Sequence, residues 1–455
     1  MKFLILALTL LSLAHAHDNN DQTHRPVSFV YQSSKAAFVD FDEAVYDITY
    51  DIKAKTAVVV AQIKFQMLEA GYPIFDLVVD PTSVKLDGVI TTAPVISTPS
   101  KETKVRIVNR LIQPGSYDLE IKVPLTSLVE FTDTGVKSAF WVTDLQDRFY
   151  LERYIPVNLE YDRVKMTFNL HYKNLKDKQH VFSNGEMKWT SETDAQIVYP
   201  DYFTVNSLYF HTTPVGSVDK VDTTFKSVNG RDLPVVIYTA KAASSTSTLN
   251  SLMSLAKRTF IELEGDYGAF PHSSITIYNA NLSSMGLGGM EYAGATVTNQ
   301  GALAHELFHS YFARGVSPAN GNAGWIDESL ASWRDNGYNR LMSMFGSSQM
   351  ASHETYTRKT DTAAYSFGAR FMAFLDNKFA SKGGLKPFMN KLLEKKLFTP
   401  IFTDEFIKEM ELFYGEDLKA VFNQYVFKKD LSNEKMQEMN PPHRKMSQAE
   451  LESIL

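Results

Sequence analysis

The chain has 455 residues, 46 Lys plus Arg against 52 Asp plus Glu, a net charge of −6 and no cysteine. The length exceeds one ordinary hydrophobic core and asks for two or three domains, and 44% apolar with 22% charged residues is the balance of a folded globular protein. The mild acidity argues against a nucleic-acid binder; the missing cysteine excludes disulfides, thiolate-held zinc, iron–sulfur clusters and thiol nucleophiles, so any metal must be held by His, Asp or Glu.

Residues 1–16 read as a secretory signal. Met1-Lys2 is a basic start, Phe3 to Leu13 is apolar apart from Thr9 and Ser12, and Ala14-His15-Ala16 fits a small-x-small cleavage site. No later apolar stretch reaches about 18 residues, so no membrane span is expected. The mature protein is expected to be exported, to a periplasm or the medium. Residues 17–26 are polar and read as a loose terminus.

From 17 to 240 the sequence predicts a β-rich domain. Tyr46, Ile48, Tyr50 and Ile52 alternate with polar residues; so do Ala61, Ile63 and Phe65, then Tyr117, Leu119, Ile121 and Val123, then Val164, Met166, Phe168 and Leu170. Period-two alternation marks half-buried strands, and Pro114-Gly115 and Asn184-Gly185 supply turns. The expectation is antiparallel sheets packed face to face. After Ser244-Ser245-Thr246-Ser247-Thr248, the spacing of Leu249, Leu252, Leu255, Phe260, Ile261 and Leu263 predicts a helix. The stretch 241–430 reads as mainly helical with one strand at 274–278, and 431–455 as a charged tail containing Pro441-Pro442.

Within the helical part stands Ala304-His305-Glu306-Leu307-Phe308-His309. Histidines at i and i+4 differ by roughly 40° around a helix, so both imidazoles project from one face and can share a divalent metal. Glu306 lies beside that face, able to reach water without being a ligand. Eighteen further residues lead to Glu328, in Trp325-Ile326-Asp327-Glu328-Ser329-Leu330-Ala331, again helical in pattern. Glu328, a carboxylate among apolar neighbours, completes a two-His, one-carboxylate set that leaves a coordination position open, as catalytic zinc sites do. Zinc, one ion per chain, is the expected cofactor; it lowers the pKa of water towards about 7 and polarises a carbonyl.

These residues resemble the gluzincin metallopeptidases, and Gly288-Gly289-Met290-Glu291-Tyr292 resembles the G-x-M-E-N exopeptidase motif of the aminopeptidase N family. Tyr365-Ser366-Phe367-Gly368-Ala369 looks like that family's Y-x-K-G-A segment, and Arg153-Tyr154-Ile155-Pro156 through Leu170 like part of its β domain. The similarity covers most of 130–425. It implies a saddle-like β domain followed by a thermolysin-like α+β catalytic domain, and release of N-terminal amino acids from peptides. By position, His305, His309 and Glu328 would bind zinc, Glu306 would act on water, and Tyr365 would donate to the oxyanion. Glu291 would bind the substrate's free α-amine, with Gly288, Gly289, Met290 and Tyr292 also binding substrate and the two glycines letting the backbone approach an extended peptide. Asp147 could add a polar contact or pair with Arg148 or Arg153; Arg370 reads as a solvated charge and His353 as a loop residue.

Three departures stand out. Tyr292 replaces the motif's Asn, Phe367 replaces its Lys, and only fourteen positions separate Glu291 from His305. The sequence also stops soon after the catalytic segment, so an open site and looser exopeptidase behaviour are expected. Peptides with a free N-terminus are the expected partners; the alternatives are a zinc endopeptidase of the same fold and a catalytically silent peptide-binding protein.

Overall fold

The computed structural model describes residues 28–96, 104–141, 151–158, 162–241, 246–280, 288–319, 321–351 and 360–428. The signal at 1–16, the polar stretch at 17–26, Asp147, His353 and the tail at 431–455 lie outside the described residues.

The alternating runs become strands of one eight-stranded sheet. Its order is Glu186–Trp189, Asp194–Val198, Lys165–Lys173, Asp40–Asp51, Thr56–Met67, Gly115–Pro124, Ser83–Leu86 and Val89–Thr91. Tyr46, Ile48, Tyr50, Ala61, Ile63, Phe65, Leu119, Ile121, Val123, Met166, Phe168 and Leu170 are all buried, as the alternation requires. The sheet is mixed, however, and not purely antiparallel. Lys165–Lys173 runs parallel to Asp40–Asp51, with Phe168 opposite Tyr46 and Leu170 opposite Ile48. Alternation reports a half-buried strand but not its direction; a parallel pair needs a long connection, and here the intervening strands supply it. A four-stranded sheet (Val129–Phe131, Val136–Ala139, Phe210–Pro214, Gln179–Ser183) contributes Val136, Phe182 and Phe210 to the same core. A second four-stranded sheet (Phe29–Tyr31, Ser34–Phe38, Tyr72–Asp76, Val105–Ile107) holds a small core of its own.

The hairpin Val218–Lys226 and Asp232–Ala240 joins a different sheet. It pairs in parallel with Ile275–Asn279, which pairs with Ala295–Thr298, which pairs antiparallel with the edge strand Gly289–Tyr292. Sheet membership thus crosses residue 240, because period two identifies a strand without naming its partners. The central strands of this mixed sheet, Ile275–Asn279 and Ala295–Thr298, are buried on both faces. Tyr238, Tyr278, Met290, Tyr292 and Val297 enter the core of the N-terminal half; Leu233, Val235, Ile237, Ile275 and Ile277 enter the helical core.

The described residues hold the α-helices α1 Thr246–Tyr267, α2 Leu303–Phe308, α3 Trp325–Asp335, α4 Ala363–Lys378, α5 Lys386–Lys396, α6 Thr403–Tyr414 and α7 Lys419–Tyr425. In α1, Leu249, Leu252, Phe260 and Leu263 are buried while Ile261 faces outward. The strands at 289–292, 295–298, 316–318 and 399–401 were not expected beside the one at 275–279. Runs of three or four residues are too short for a period to register. Among the described residues, no helix is long and apolar enough to cross a membrane.

Two contacts fix the parts that carry the site. Gly294, at φ +68°, turns the hairpin 289–298, and a Cβ there would lie 2.5 Å from the Ser274 carbonyl oxygen. Asn184, read as a turn residue, also pins that hairpin: its Nδ2 donates to the Ser207 and Ala293 carbonyls at 2.7 Å, and its Oδ1 accepts from the Tyr209 N–H at 2.8 Å.

Candidate metal centre

The centre is built from α2, α3 and α4. Helix α2 is short, and His309 is its C-terminal cap residue, yet the His309 N–H still bonds the His305 carbonyl at 3.3 Å. The i, i+4 relation survives, and the two imidazole rings lie 4.7 Å apart between centroids. Helix α3 brings Glu328, whose Oε2 lies 3.2 Å from His305 Nε2 and 3.5 Å from His309 Nε2. One ligand atom from each of His305, His309 and Glu328 falls within 4.8 Å of the others. Helices α3 and α4 approach closely because Gly368 offers no side chain: a Cβ there would strike the Ser329 hydroxyl, which donates to the Ala364 carbonyl at 3.0 Å. That packing puts the Tyr365 phenol 2.8 Å from Glu328 Oε1.

The outward nitrogens of both histidines are committed. His305 Nδ1 lies 2.6 Å from Asp335 Oδ2, and His309 Nδ1 lies 3.0 Å from the Phe312 carbonyl. These partners orient the rings so that both Nε2 atoms face Glu328, the outer-shell pattern typical of metal-ligating histidines. Burial opposes charge on the imidazoles, but Asp335 and Glu328 outweigh it at His305, and Glu328 at His309, so both sit above the ordinary histidine value. Burial likewise opposes ionisation of Glu328, but His309 and His305 hold it well below the carboxylate range. Three donors of nitrogen and carboxylate oxygen, converging and braced from behind, suit a zinc ion; binding one displaces the imidazole protons.

Glu306 sits beside these residues, 6% exposed, and its Oε2 has no hydrogen-bond partner among the described residues. Burial raises its pKa, and the two imidazoles pull against that rise. Across from it runs the edge strand 289–292. Gly289 abuts Glu306 so closely that a Cβ would lie 2.5 Å from its Cγ and Cδ. At Gly288 a Cβ would meet the Ala302 Cβ at 2.8 Å.

Glu291 shares the face of Gly289, because side chains alternate along a strand. Met290 and Tyr292 take the opposite face. Both are buried in the core of the N-terminal half, with the Tyr292 ring edge-on to Tyr209 at 5.2 Å. Phe367, at the motif's Lys position, is buried in the helical core, and Arg370 is exposed.

Two residues escaped the sequence reading. Asp335 lies seven residues beyond Glu328, two turns along one helix face, so its position behind His305 was open to inference. Arg314 had no such signal: it follows α2 in a loop and reaches the edge strand only through the tertiary fold. Its Nη2 lies 2.6 Å from Glu291 Oε1, with both side chains nearly buried.

The fold is similar to that of solved M1 zinc metallopeptidases, which match most of the chain. The M1 zinc metallopeptidase from Deinococcus radiodurans matches 87% of this chain and 95% of its own at 13% identity, with a TM-score of 0.63. Aminopeptidase A from Legionella pneumophila, solved with aspartic acid, matches 86% of this chain and 50% of its own at 13% identity and a TM-score of 0.62. Yeast LTA4 hydrolase matches 87% and 69% at 14% identity and a TM-score of 0.61. At these identities the likeness is one of fold. No protein-family model matches the chain, and no curated protein matches its sequence.

Proposed function

We propose that this protein is a zinc-dependent peptidase that hydrolyses peptide bonds and releases N-terminal amino acids. The observation that carries the reading is the convergence of His305, His309 and Glu328 with the buried Oε2 of Glu306 beside them, which has no partner among the described residues. A zinc ion held by the three ligands would supply Lewis acidity for water and for the scissile carbonyl.

The chain's own groups supply the rest. Glu306 accepts a proton from the attacking water and returns it to the departing amine, a role that its raised pKa favours. Tyr365, 2.8 Å from Glu328, turns its phenol to the oxyanion as charge develops. The edge strand Gly289–Tyr292 receives the peptide as an added strand, and the lack of side chains at 288 and 289 permits that approach. Glu291, on the same face, takes the α-amine. The apolar run Phe3–Leu13 supports an exported protein. Cleavage of peptides lacking a free amine is a second reading, favoured by the Glu291–Arg314 ion pair.

The test is hydrolysis of a panel of aminoacyl substrates by the wild type and Glu306→Gln. Loss of at least about 100-fold in the variant, with zinc content unchanged, supports the assignment. Equal rates dismiss it.

A further inference from the structure

The residue meant to greet an ammonium is already paired. Arg314 clasps Glu291 twice: Nη2 binds the carboxylate Oε1 at 2.6 Å, while Nε and Nη2 approach the Glu291 carbonyl at 3.4 and 3.3 Å. The side chains are 5% and 12% exposed, so little water screens the pair. A guanidinium does not give up its proton. Glu291 is also felt electrostatically by Glu306 and His309, which places this compensated charge in the same cleft.

A lone buried carboxylate would reward a free α-ammonium strongly and leave a blocked N-terminus facing an unpaired charge. Arg314 changes both sides of that comparison. It supports the carboxylate when no substrate is bound, so a blocked peptide strands no charge. It also repels an ammonium that approaches Glu291 from the cleft. Resting on the peptidase reading above, we infer that Arg314 is a specificity-determining residue. By holding Glu291 in an internal ion pair, it reduces the demand for a free N-terminus, so N-blocked peptides are accepted as well.

The test compares leucinamide with N-acetyl-leucinamide, by calorimetric binding to the zinc-loaded protein, alongside hydrolysis of a matching free and acetylated peptide. Wild type is expected to favour the free amine by no more than about 10-fold. Arg314→Gln releases Glu291 and raises that preference by at least about 10-fold more, through binding and KM and not kcat. Arg314→Lys keeps the charge and stays near the wild-type ratio. Glu291→Gln added to Arg314→Gln cancels the rise, which separates a specific effect from general loosening. Melting temperatures establish that the variants are folded; should Arg314→Gln fail to fold, the wild-type ratio and Arg314→Lys decide. A wild-type preference above about 100-fold overturns the inference, as does an unchanged ratio in folded Arg314→Gln, or no binding of either amide to any form. Binding in the expected ratios without hydrolysis overturns the peptidase reading and leaves the role of Arg314 supported.

Discussion

Gly289→Ala is the substitution whose effect follows most directly from geometry. The added Cβ would lie 2.5 Å from both Cγ and Cδ of Glu306. Carbon atoms rest about 3.5–4.0 Å apart, so one side must give way by roughly 1 Å. Residue 289 is tied into the sheet through its pairing with Thr298, so the Glu306 side chain moves. Because Glu306 is buried, rotation of the carboxyl alone does not clear the clash, since Cγ is struck as well. A misplacement of about 1 Å costs on the order of 100-fold in rate. The loss should fall on kcat, since the displaced group acts on the proton and not on peptide affinity. Overpacking should cost about 1–3 kcal/mol in stability, leaving the protein folded. The assay is steady-state hydrolysis of an unblocked peptide with saturating zinc, repeated in a Glu306→Gln background. With the carboxylate already disabled, adding Gly289→Ala should cost little more, so the two effects do not add. Activity of Gly289→Ala within about three-fold of wild type would refute the placement of Glu306 as the base.

Asp335→Ala should weaken zinc affinity by about 10–100-fold, measured by competition with a chelating dye, because His305 loses the partner that orients its ring. An unchanged affinity would remove Asp335 from the site. Tyr365→Phe should lower kcat by about 100-fold or more with zinc content intact; parallel loss of zinc would make the phenol a support for Glu328 instead. His211 and His272 are buried, and burial pushes their pKa values down to about 3 and about 4. The unfolded chain takes up protons first as pH falls, so stability present above about pH 6.5 drains between there and about pH 3–4, up to about 5 kcal/mol for His211 and about 3 kcal/mol for His272. Thermal melts of His211→Phe should show a shallower decline than wild type over that range; identical slopes would contradict the assignment.

Much of this arrangement was legible because it is periodic. Tyr46, Ile48 and Tyr50 declared their strand, His305 and His309 declared a shared face, and Glu328 stood out as an acid inside an apolar helix. What period cannot carry is partnership. The parallel pairing of Lys165–Lys173 with Asp40–Asp51, and the transfer of the hairpin 218–240 to the five-stranded sheet, depend on contacts far apart in the chain. Tyr292 shows the same limit at one residue. The motif match does not say which way its ring faces, and the strand turns that ring into the core beside Tyr209. Arg314 shows it from the other side: no local pattern ties a loop arginine to Glu291, and only the close passage of the loop after α2 beside the edge strand does so.

We propose that His305, His309 and Glu328 hold a zinc ion on which peptide hydrolysis depends. The direct measurement follows one zinc-loaded preparation through hydrolysis of an unblocked peptide, chelation, and titration back with zinc. Activity should vanish with the metal and return in proportion to zinc, saturating at one ion per chain, while His309→Ala neither binds the ion tightly nor recovers. Hydrolysis that persists after the metal is removed, or an active His309→Ala variant, would contradict the account.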